Sequence, residues 1–137
     1  MQQGSVRWTD GEQFIAVGPS GHGLVIDADR SRNSGPGPME LLLLGLGACT
    51  GSDVISILKK KRQQVTALEV RMEGERASEP PAVWTQLAVH YRIAGKALDP
   101  RAVEHAIELS RTKYCSVAAT LARTASIHWS HTLEDSS

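Results

Sequence analysis

The 137-residue chain has no excess of charge of either sign, because 15 basic side chains balance 15 acidic ones. A neutral chain lacks the electrostatic field that draws proteins to nucleic acids or to anionic membranes. Met1 to Gly4 carry no basic segment followed by an apolar one, so we expect no signal peptide. Internal repeats and low-complexity segments are also absent.

Long apolar runs are also missing from the sequence. The strongest run, Leu41 to Leu46, is far short of the roughly 20 residues that a membrane-spanning helix requires. Hydrophobic residues nevertheless make up 41% of the chain, which is enough for a packed core. The length is that of one domain. We therefore expect a soluble, cytoplasmic protein with a single domain over residues 1–137.

Cysteine is scarce, with only Cys49 and Cys115 in the chain. In the reducing cytoplasm two cysteines rarely form a permanent structural disulfide. The two residues are therefore either inert thiols or a redox pair.

The pattern of turns and apolar periodicity predicts the order βββ-α-ββ-αα-β. This order is typical of an α+β domain with largely antiparallel sheet. The predicted strands are 5–9, 13–17, 22–27, 68–72, 83–93 and 125–133, and the predicted helices are 37–62, one from Asp99 and one from Tyr114.

Cys49 lies within the long helix among three glycines, Gly45, Gly47 and Gly51. Each glycine costs about 1 kcal/mol relative to alanine in a helix interior. Such a cost indicates either close packing of another backbone or access of a ligand or second thiol to Cys49. Asp53 shares the helical face of Cys49, as a hydrogen-bonding neighbour or as an ordinary buried polar residue. The alternative for Cys49 itself is a buried small hydrophobe.

The same helix is apolar on nearly every side from Leu41 to Leu46. A helix of this kind must be covered all round, and a chain of this size has few elements to do so. A second subunit is the simplest cover, so we expect a homodimer.

Cys115 follows Lys113 and Tyr114 and lies where a helix is predicted to begin, with Ser116 as its cap. A helix N-terminus and a neighbouring cation both lower the pKa of a thiol. The alternative is an ordinary helix start with a half-buried cysteine.

The two cysteine neighbourhoods together resemble the OsmC/Ohr family of osmotically inducible and organic hydroperoxide resistance proteins. The stretches concerned are "PMELLLLGLGACTGSDVISILKKKR" at 38–62 and "KYCSV" at 113–117. The resemblance covers essentially the whole chain and is closest to the YhfA-like branch. It implies an intertwined homodimer in which antiparallel sheets wrap around a long central helix, with active sites at the subunit interface.

The resemblance also implies roles for individual residues. Cys49 matches the cysteine that attacks the peroxide, and Cys115 matches the one that resolves it. Peroxidases of the family further use a glutamate directly after the proline that opens the helix, and an arginine from an upstream loop. The candidates here are Glu40, which comes one position later, and Arg30 or Arg32.

The implied function is that of a peroxiredoxin-like thiol peroxidase in the oxidative stress response. It would reduce organic hydroperoxides through a sulfenic acid and a disulfide. An external dithiol, either a lipoyl group or a small thiol, would restore both thiols. No cofactor and no metal are implied. The alternative is a protein of the same fold without peroxidase activity, which binds an apolar small molecule at the dimer interface.

Overall fold

The structure is a computed structural model that describes residues 1–136. It divides into two compact units, residues 1–42 and the chain from Leu43 onward. The elements are β1 (Ser5–Asp10), β2 (Gln13–Val17), β3 (Gly23–Asp27), α1 (Pro38–Lys60), β4 (Gln64–Arg76), β5 (Trp84–Lys96), α2 (Pro100–Leu109), a π-helical turn (Ser110–Tyr114), α3 (Ser116–Leu121) and β6 (Ser126–Asp135). The predicted α+β class is confirmed.

The first unit contains the antiparallel sheet β1-β2-β3. Its polar loop, residues 28–37, is organised by Asp27, which is fully buried at the end of β3. The carboxylate accepts hydrogen bonds from the backbone N–H of Asp29 and from both the N–H and the hydroxyl of Ser34. The hydrogen bond from the Ser34 hydroxyl makes the largest contribution to lowering the pKa of Asp27. The loop is therefore held by an ionised carboxylate.

The second unit contains the sheet β4-β5-β6. Strands β4 and β5 are antiparallel, whereas β5 and β6 are parallel. Three of the four strand pairs among the described residues are antiparallel, so the expectation of largely antiparallel sheet is confirmed, and the β5–β6 pair is the exception. Helices α2 and α3 lie between β5 and β6 in the chain, and a helical crossover of this length returns the chain in the parallel direction.

Strand β4 is also longer than the predicted 68–72, because it pairs with β5 over almost its whole length. The core of the second unit uses alternate residues of β5 together with one side of α1 and of α2. Burial of one such large side chain contributes about 1.5–3 kcal/mol. The largest fully buried apolar side chains of this core are Leu46, Val54, Leu58, Leu87, Val89, Tyr91, Ile93 and Val103.

Helix α1 begins with a capping arrangement. Pro38 occupies the first helical position, and the Glu40 carboxylate accepts a hydrogen bond from the backbone N–H of Gly37 at 2.6 Å. At the other end Lys59 and Lys60 face the negative pole of the helix dipole. Arg62 follows with a left-handed φ of 59°, which ends the helix and turns the chain into β4.

By length and composition α1 could cross a membrane, and 33% of its most apolar 18-residue window is buried within the chain. Sequence reasoning considered only the run Leu41 to Leu46, but the complete helix adds further apolar and small residues with few charges. One helix of this kind is weak support for a membrane span, because the core helix of a soluble domain passes the same test.

Two of the three α1 glycines permit close packing against β4. A Cβ atom on Gly47 would lie 2.6 Å from Cε of Met72, and one on Gly51 would lie 3.3 Å from Cγ2 of Val70. A Cβ atom on Gly45 would meet nothing within 4 Å in the single chain. Gly47 is therefore explained by side-chain packing rather than by a ligand.

We predict that Gly47→Ala changes the free energy of unfolding by less than about 1 kcal/mol. The gain of about 1 kcal/mol in helix propensity is offset because the flexible end of Met72 must shift to admit the new Cβ atom. Urea denaturation measures the change. In a Met72→Ala background, where the clashing side chain is gone, Gly47→Ala should instead stabilise. Equal stabilisation by Gly47→Ala in both backgrounds would contradict the packing argument.

Candidate functional site

Three reactive side chains of the second unit meet at one place. Helix α1 presents Cys49 and Asp53, which lie one turn apart on the same face, and Cys115 comes from the residue that precedes α3. The two Sγ atoms and a carboxylate oxygen of Asp53 all lie within 4.8 Å of one another. Cys49 and Asp53 are half-buried, whereas Cys115 is only 4% exposed.

Backbone hydrogen bonds at the π-helical turn fix the position of Cys115. Its N–H donates to the carbonyl oxygen of Ser110 at 2.8 Å, and its own backbone is extended. The Cys115 sulfur accepts a hydrogen bond from the N–H of Ala118 at 3.4 Å and thereby caps α3. The predicted cap, Ser116, is instead the first residue of that helix. The thiol is thus held at the helix N-terminus by its own capping contact.

Burial raises the pKa of the Cys115 thiol to about 11. The capping N–H of Ala118 lowers this pKa, but the neighbouring Cys49 thiol and the Asp53 carboxylate raise it further. The sequence-based expectation of a lowered pKa is therefore wrong in sign, because desolvation outweighs the helix terminus. The predicted cation does not help either, since Lys113 lies over the ring of Tyr114, 5.2 Å from its centroid. Cys115 is consequently a neutral thiol at pH 7.

A chain of buried hydroxyl groups supports Asp53. The Ser110 hydroxyl donates to Oδ2 of Asp53 at 2.9 Å and lies 2.7 Å from the Thr50 hydroxyl. The Thr50 hydroxyl in turn lies 2.5 Å from the phenol oxygen of Tyr91. Burial raises the pKa of Tyr91 to about 12, so the phenol stays neutral. We call Tyr91, Thr50 and Ser110 the hydroxyl network; all three are fully buried.

Two surface depressions adjoin α1 in the second unit. A pocket of about 390 Å³ has Asp53 in its wall and is lined by Asp53, Ser56, Ile57, Lys60, Lys61, His105, Leu109 and Tyr114. An open groove of about 730 Å³ runs between α1 and β4, with Ala48, Ser52 and Ile55 on the helix side and Val65, Leu68 and Val70 on the strand side. The pocket gives Asp53 direct access to solvent.

The other predicted site residues find their partners within the first unit. Oε1 of Glu40 lies 3.1 Å from Nη1 of Arg30, so these two candidates form an ion pair. Arg32 instead pairs with Asp10, and its Nε lies 4.0 Å from Oδ2 of the buried Asp27. The structure thus joins Glu40 to Arg30 and gives Arg32 a structural role in the 28–37 loop.

The cysteine pair is placed for disulfide formation, because its sulfur atoms lie within 4.8 Å of each other and a disulfide bond brings them to about 2.05 Å. Cys49, Asp53 and Cys115 are also a donor set that could hold a thiophilic metal ion. Such binding would require both thiols to ionise, which the raised pKa of Cys115 opposes.

Sequence reasoning found both cysteines and the helical face shared by Cys49 and Asp53, but it missed the hydroxyl network. Thr50 is separated from Tyr91 by 41 residues and from Ser110 by 60. No local pattern links residues at such separations. The one available signal was a threonine directly after Cys49 within an apolar helix, because a buried hydroxyl needs a partner.

Comparison with known proteins agrees with the resemblance found in the sequence. Residues 31–130 match the OsmC-like protein family. The chain is 39% identical over 129 residues to Protein YhfA of Escherichia coli (strain K12), and the match covers 94% of this chain and 96% of YhfA.

Solved structures share the fold over nearly the whole chain. A hypothetical protein from Aquifex aeolicus VF5 matches with a TM-score of 0.89 and 28% identity, covering 100% of this chain and 98% of that one. An OsmC-like protein from Mycoplasma pneumoniae matches with a TM-score of 0.83 and 19% identity, covering 97% and 96%. An organic hydroperoxide resistance protein OsmC from Legionella pneumophila matches with a TM-score of 0.69 and 14% identity, covering 96% of each chain.

The predicted OsmC-like fold and the resemblance to YhfA are thereby confirmed. The chain belongs to the OsmC-like protein family.

Proposed function

We propose that this protein is a thiol peroxidase that reduces organic hydroperoxides through Cys49 and Cys115. The observation that carries the proposal is the juxtaposition of the two sulfur atoms, which lie within 4.8 Å of each other. Membership of the OsmC-like family supports a redox or peroxide-related role. The matched organic hydroperoxide resistance protein from Legionella pneumophila points in the same direction.

The first step assigns the attack to Cys49. Its thiolate attacks the distal oxygen of the hydroperoxide, the O–O bond breaks, and an alcohol leaves. Cys49 becomes a sulfenic acid. Cys49 is the better candidate for this step because it is the more accessible thiol, whereas Cys115 is buried and its pKa is raised to about 11.

The second step assigns resolution to Cys115. Its sulfur attacks the sulfenic sulfur of Cys49, the S–O bond breaks, and water leaves as the disulfide forms. An external dithiol then reduces the disulfide through a mixed disulfide, and either a lipoyl group or a small dithiol fits this chemistry. We place this cycle in the cytoplasm, where dithiol reductants are maintained.

The apolar character of α1 supports a substrate with an apolar tail. Leu42 and Leu44 are 44% and 48% exposed in the single chain. We further propose that Arg30 and Glu40 are the arginine and glutamate that the resemblance implies, because the two side chains pair with each other. Arg32 is the weaker candidate, because Asp10 occupies its guanidinium group.

We also propose that the protein is a homodimer in which a second copy covers α1. Leu42 and Leu44 of the apolar run are exposed in the single chain, and contiguous apolar surface of this kind marks a site of association. The open groove between α1 and β4 lies on the same helix and offers further surface for association.

The groove also favours a second candidate function. Its volume of about 730 Å³ is that of a small-molecule site, and both its helix wall and its strand wall contain apolar side chains. A family member without peroxidase activity could bind an apolar small molecule there, at the subunit interface.

We predict that the wild-type protein consumes cumene hydroperoxide in the presence of dihydrolipoamide or dithiothreitol. Cys49→Ser should lose at least about 100-fold in turnover, because a serine hydroxyl is not ionised near neutral pH. In the absence of added dithiol, Cys115→Ser should consume one equivalent per chain and then stop, leaving a sulfenic acid at Cys49 that dimedone labels. Mass spectrometry of the labelled peptides reads the result. If the wild-type protein leaves the peroxide unconsumed and Cys49 unlabelled, the binding function is favoured.

We predict that the two thiols differ in their reactivity toward iodoacetamide, which alkylates thiolates. With a pKa of about 11, Cys115 is ionised to only about one part in 10⁴ at pH 7, and its labelling should rise tenfold per pH unit up to that value. Cys49 should be labelled first at neutral pH. Peptide mass spectrometry from pH 6 to 10 measures both rates, with guanidinium-unfolded protein as the control in which the two cysteines react alike. Equal labelling rates in the folded protein would contradict the assigned roles.

We predict that sedimentation equilibrium at micromolar concentration shows a dimer. Leu44→Glu should dissociate it, because the substitution places a charge on the exposed apolar face of α1. Ala119→Glu, at an exposed position of α3, is the matched control and should leave the dimer intact. Circular dichroism verifies that both variants fold. A stable, folded wild-type monomer would refute the dimer.

A further inference from the structure

Disulfide formation between the two cysteines requires the movement of a proton. The Cys115 thiol must lose its proton as its sulfur attacks, and the hydroxyl of the Cys49 sulfenic acid must gain one to leave as water. A buried thiol with a raised pKa supplies very little thiolate at pH 7. The step therefore needs a group that accepts the first proton and donates the second.

Asp53 is placed to serve both sulfur atoms. One of its carboxylate oxygens lies within 4.8 Å of Sγ of Cys49 and of Sγ of Cys115. The Ser110 hydroxyl donates to Oδ2 at 2.9 Å and fixes the orientation of the carboxylate. A carboxylate oxygen has two lone pairs, so either oxygen of Asp53 can still accept the thiol proton.

The other polar groups around the two sulfurs are poorly suited to this task. The hydroxyls of Ser110 and Thr50 do not ionise, and the phenol of Tyr91 stays neutral because its pKa is about 12. Within residues 1–136, the group of mutually close donors around the sulfurs contains one carboxylate and no histidine. The charged and titratable groups that line the pocket of Asp53 are Lys60 and Lys61 at the end of α1, His105 of α2 and Tyr114 of the π-helical turn. Tyr91 and Cys115 also interact electrostatically with Asp53, and Cys49 lies beside it. Arg111 interacts electrostatically with Tyr91.

We propose that Asp53 transfers a proton from the Cys115 thiol to the departing hydroxyl of the Cys49 sulfenic acid. This inference rests on the proposed roles of the two cysteines. The S–H bond of Cys115 and the S–O bond of Cys49 break, while the S–S bond and the new O–H bond of water form. Asp53 is a carboxylate before and after the step. The 390 Å³ pocket that it lines lets the water leave.

The test compares Asp53→Asn with the wild-type protein in a single turnover. Excess hydrogen peroxide oxidises Cys49, and acid-quenched samples are analysed by mass spectrometry for sulfenic acid and disulfide. Asp53→Asn should slow the conversion of sulfenic acid to disulfide by about 100-fold at pH 7, a loss typical of general acid–base catalysis. The deficit should shrink as the pH approaches 10, because Cys115 then begins to ionise without help.

A purely electrostatic role of Asp53 predicts a result of opposite sign. The Asp53 carboxylate raises the pKa of Cys115, so its removal alone would supply more thiolate and accelerate the step. A faster or unchanged rate in Asp53→Asn, or a deficit that is the same at every pH, would overturn the proposal. Asp135→Asn, an exposed aspartate at the end of β6, is the matched control and should behave as wild type. Asp53→Glu should recover part of the rate.

The choice of oxidant separates this inference from the proposed function. Hydrogen peroxide in excess converts an accessible thiolate to sulfenic acid whether or not the protein is a selective peroxidase. Slow reaction with cumene hydroperoxide would therefore count against the substrate assignment alone. The role of Asp53 in proton transfer is tested only by the disulfide-forming step, in which the organic substrate takes no part.

Discussion

The short hydrogen bonds of the hydroxyl network are the constraint on which the rest of the site depends. Thr50 of α1, Ser110 of the π-helical turn and Tyr91 of β5 meet in a fully buried position. Removal of one hydroxyl would leave its partners unsatisfied, at a cost of about 1–3 kcal/mol. Among the described residues, no buried side-chain nitrogen or oxygen lacks a partner. The network therefore fixes the helix, the turn and the strand in a single arrangement.

The positions of the two sulfur atoms follow from that arrangement. Cys49 directly precedes Thr50 on α1, and the Cys115 N–H bonds to the carbonyl of Ser110. Two thiols that are distant in sequence are thereby held together before any covalent bond forms. An apolar core alone would hold them less specifically, because hydrophobic contacts have little directionality. Polar groups inside the core thus serve to position the reactive atoms.

Much of the fold could be predicted from the sequence. The alternating pattern of β5, the cap and proline of α2 and the proline at the start of α1 each have a local cause, and these elements were found close to their true bounds. The extent of β4 was underestimated, because its pairing with β5 depends on a partner strand rather than on its own pattern. The parallel pairing of β6 was missed for the same reason.

The electrostatics of the candidate site were harder to predict than the residues that form it. A helix start and an adjacent lysine suggested an acidic thiol at Cys115, but the sequence does not show how deeply that thiol is buried. Desolvation depends on every element packed around an atom, and here it reverses the sign of the expected shift. By contrast, Arg30 and Glu40 are only ten positions apart, so their ion pair could be anticipated from the sequence.

The capped and buried position of Cys115 has a consequence for the reductive half of the proposed cycle. A reductant meets the more accessible Cys49 first, and cleavage of the disulfide then requires Cys115 to depart. A sulfur whose thiol has a high pKa is a poor leaving group in thiol–disulfide exchange. In the proposed cycle the disulfide form is therefore expected to persist until a strong dithiol reaches it. The burial of the Cys115 sulfur would then determine how long the protein stays in the disulfide form after reaction with an oxidant.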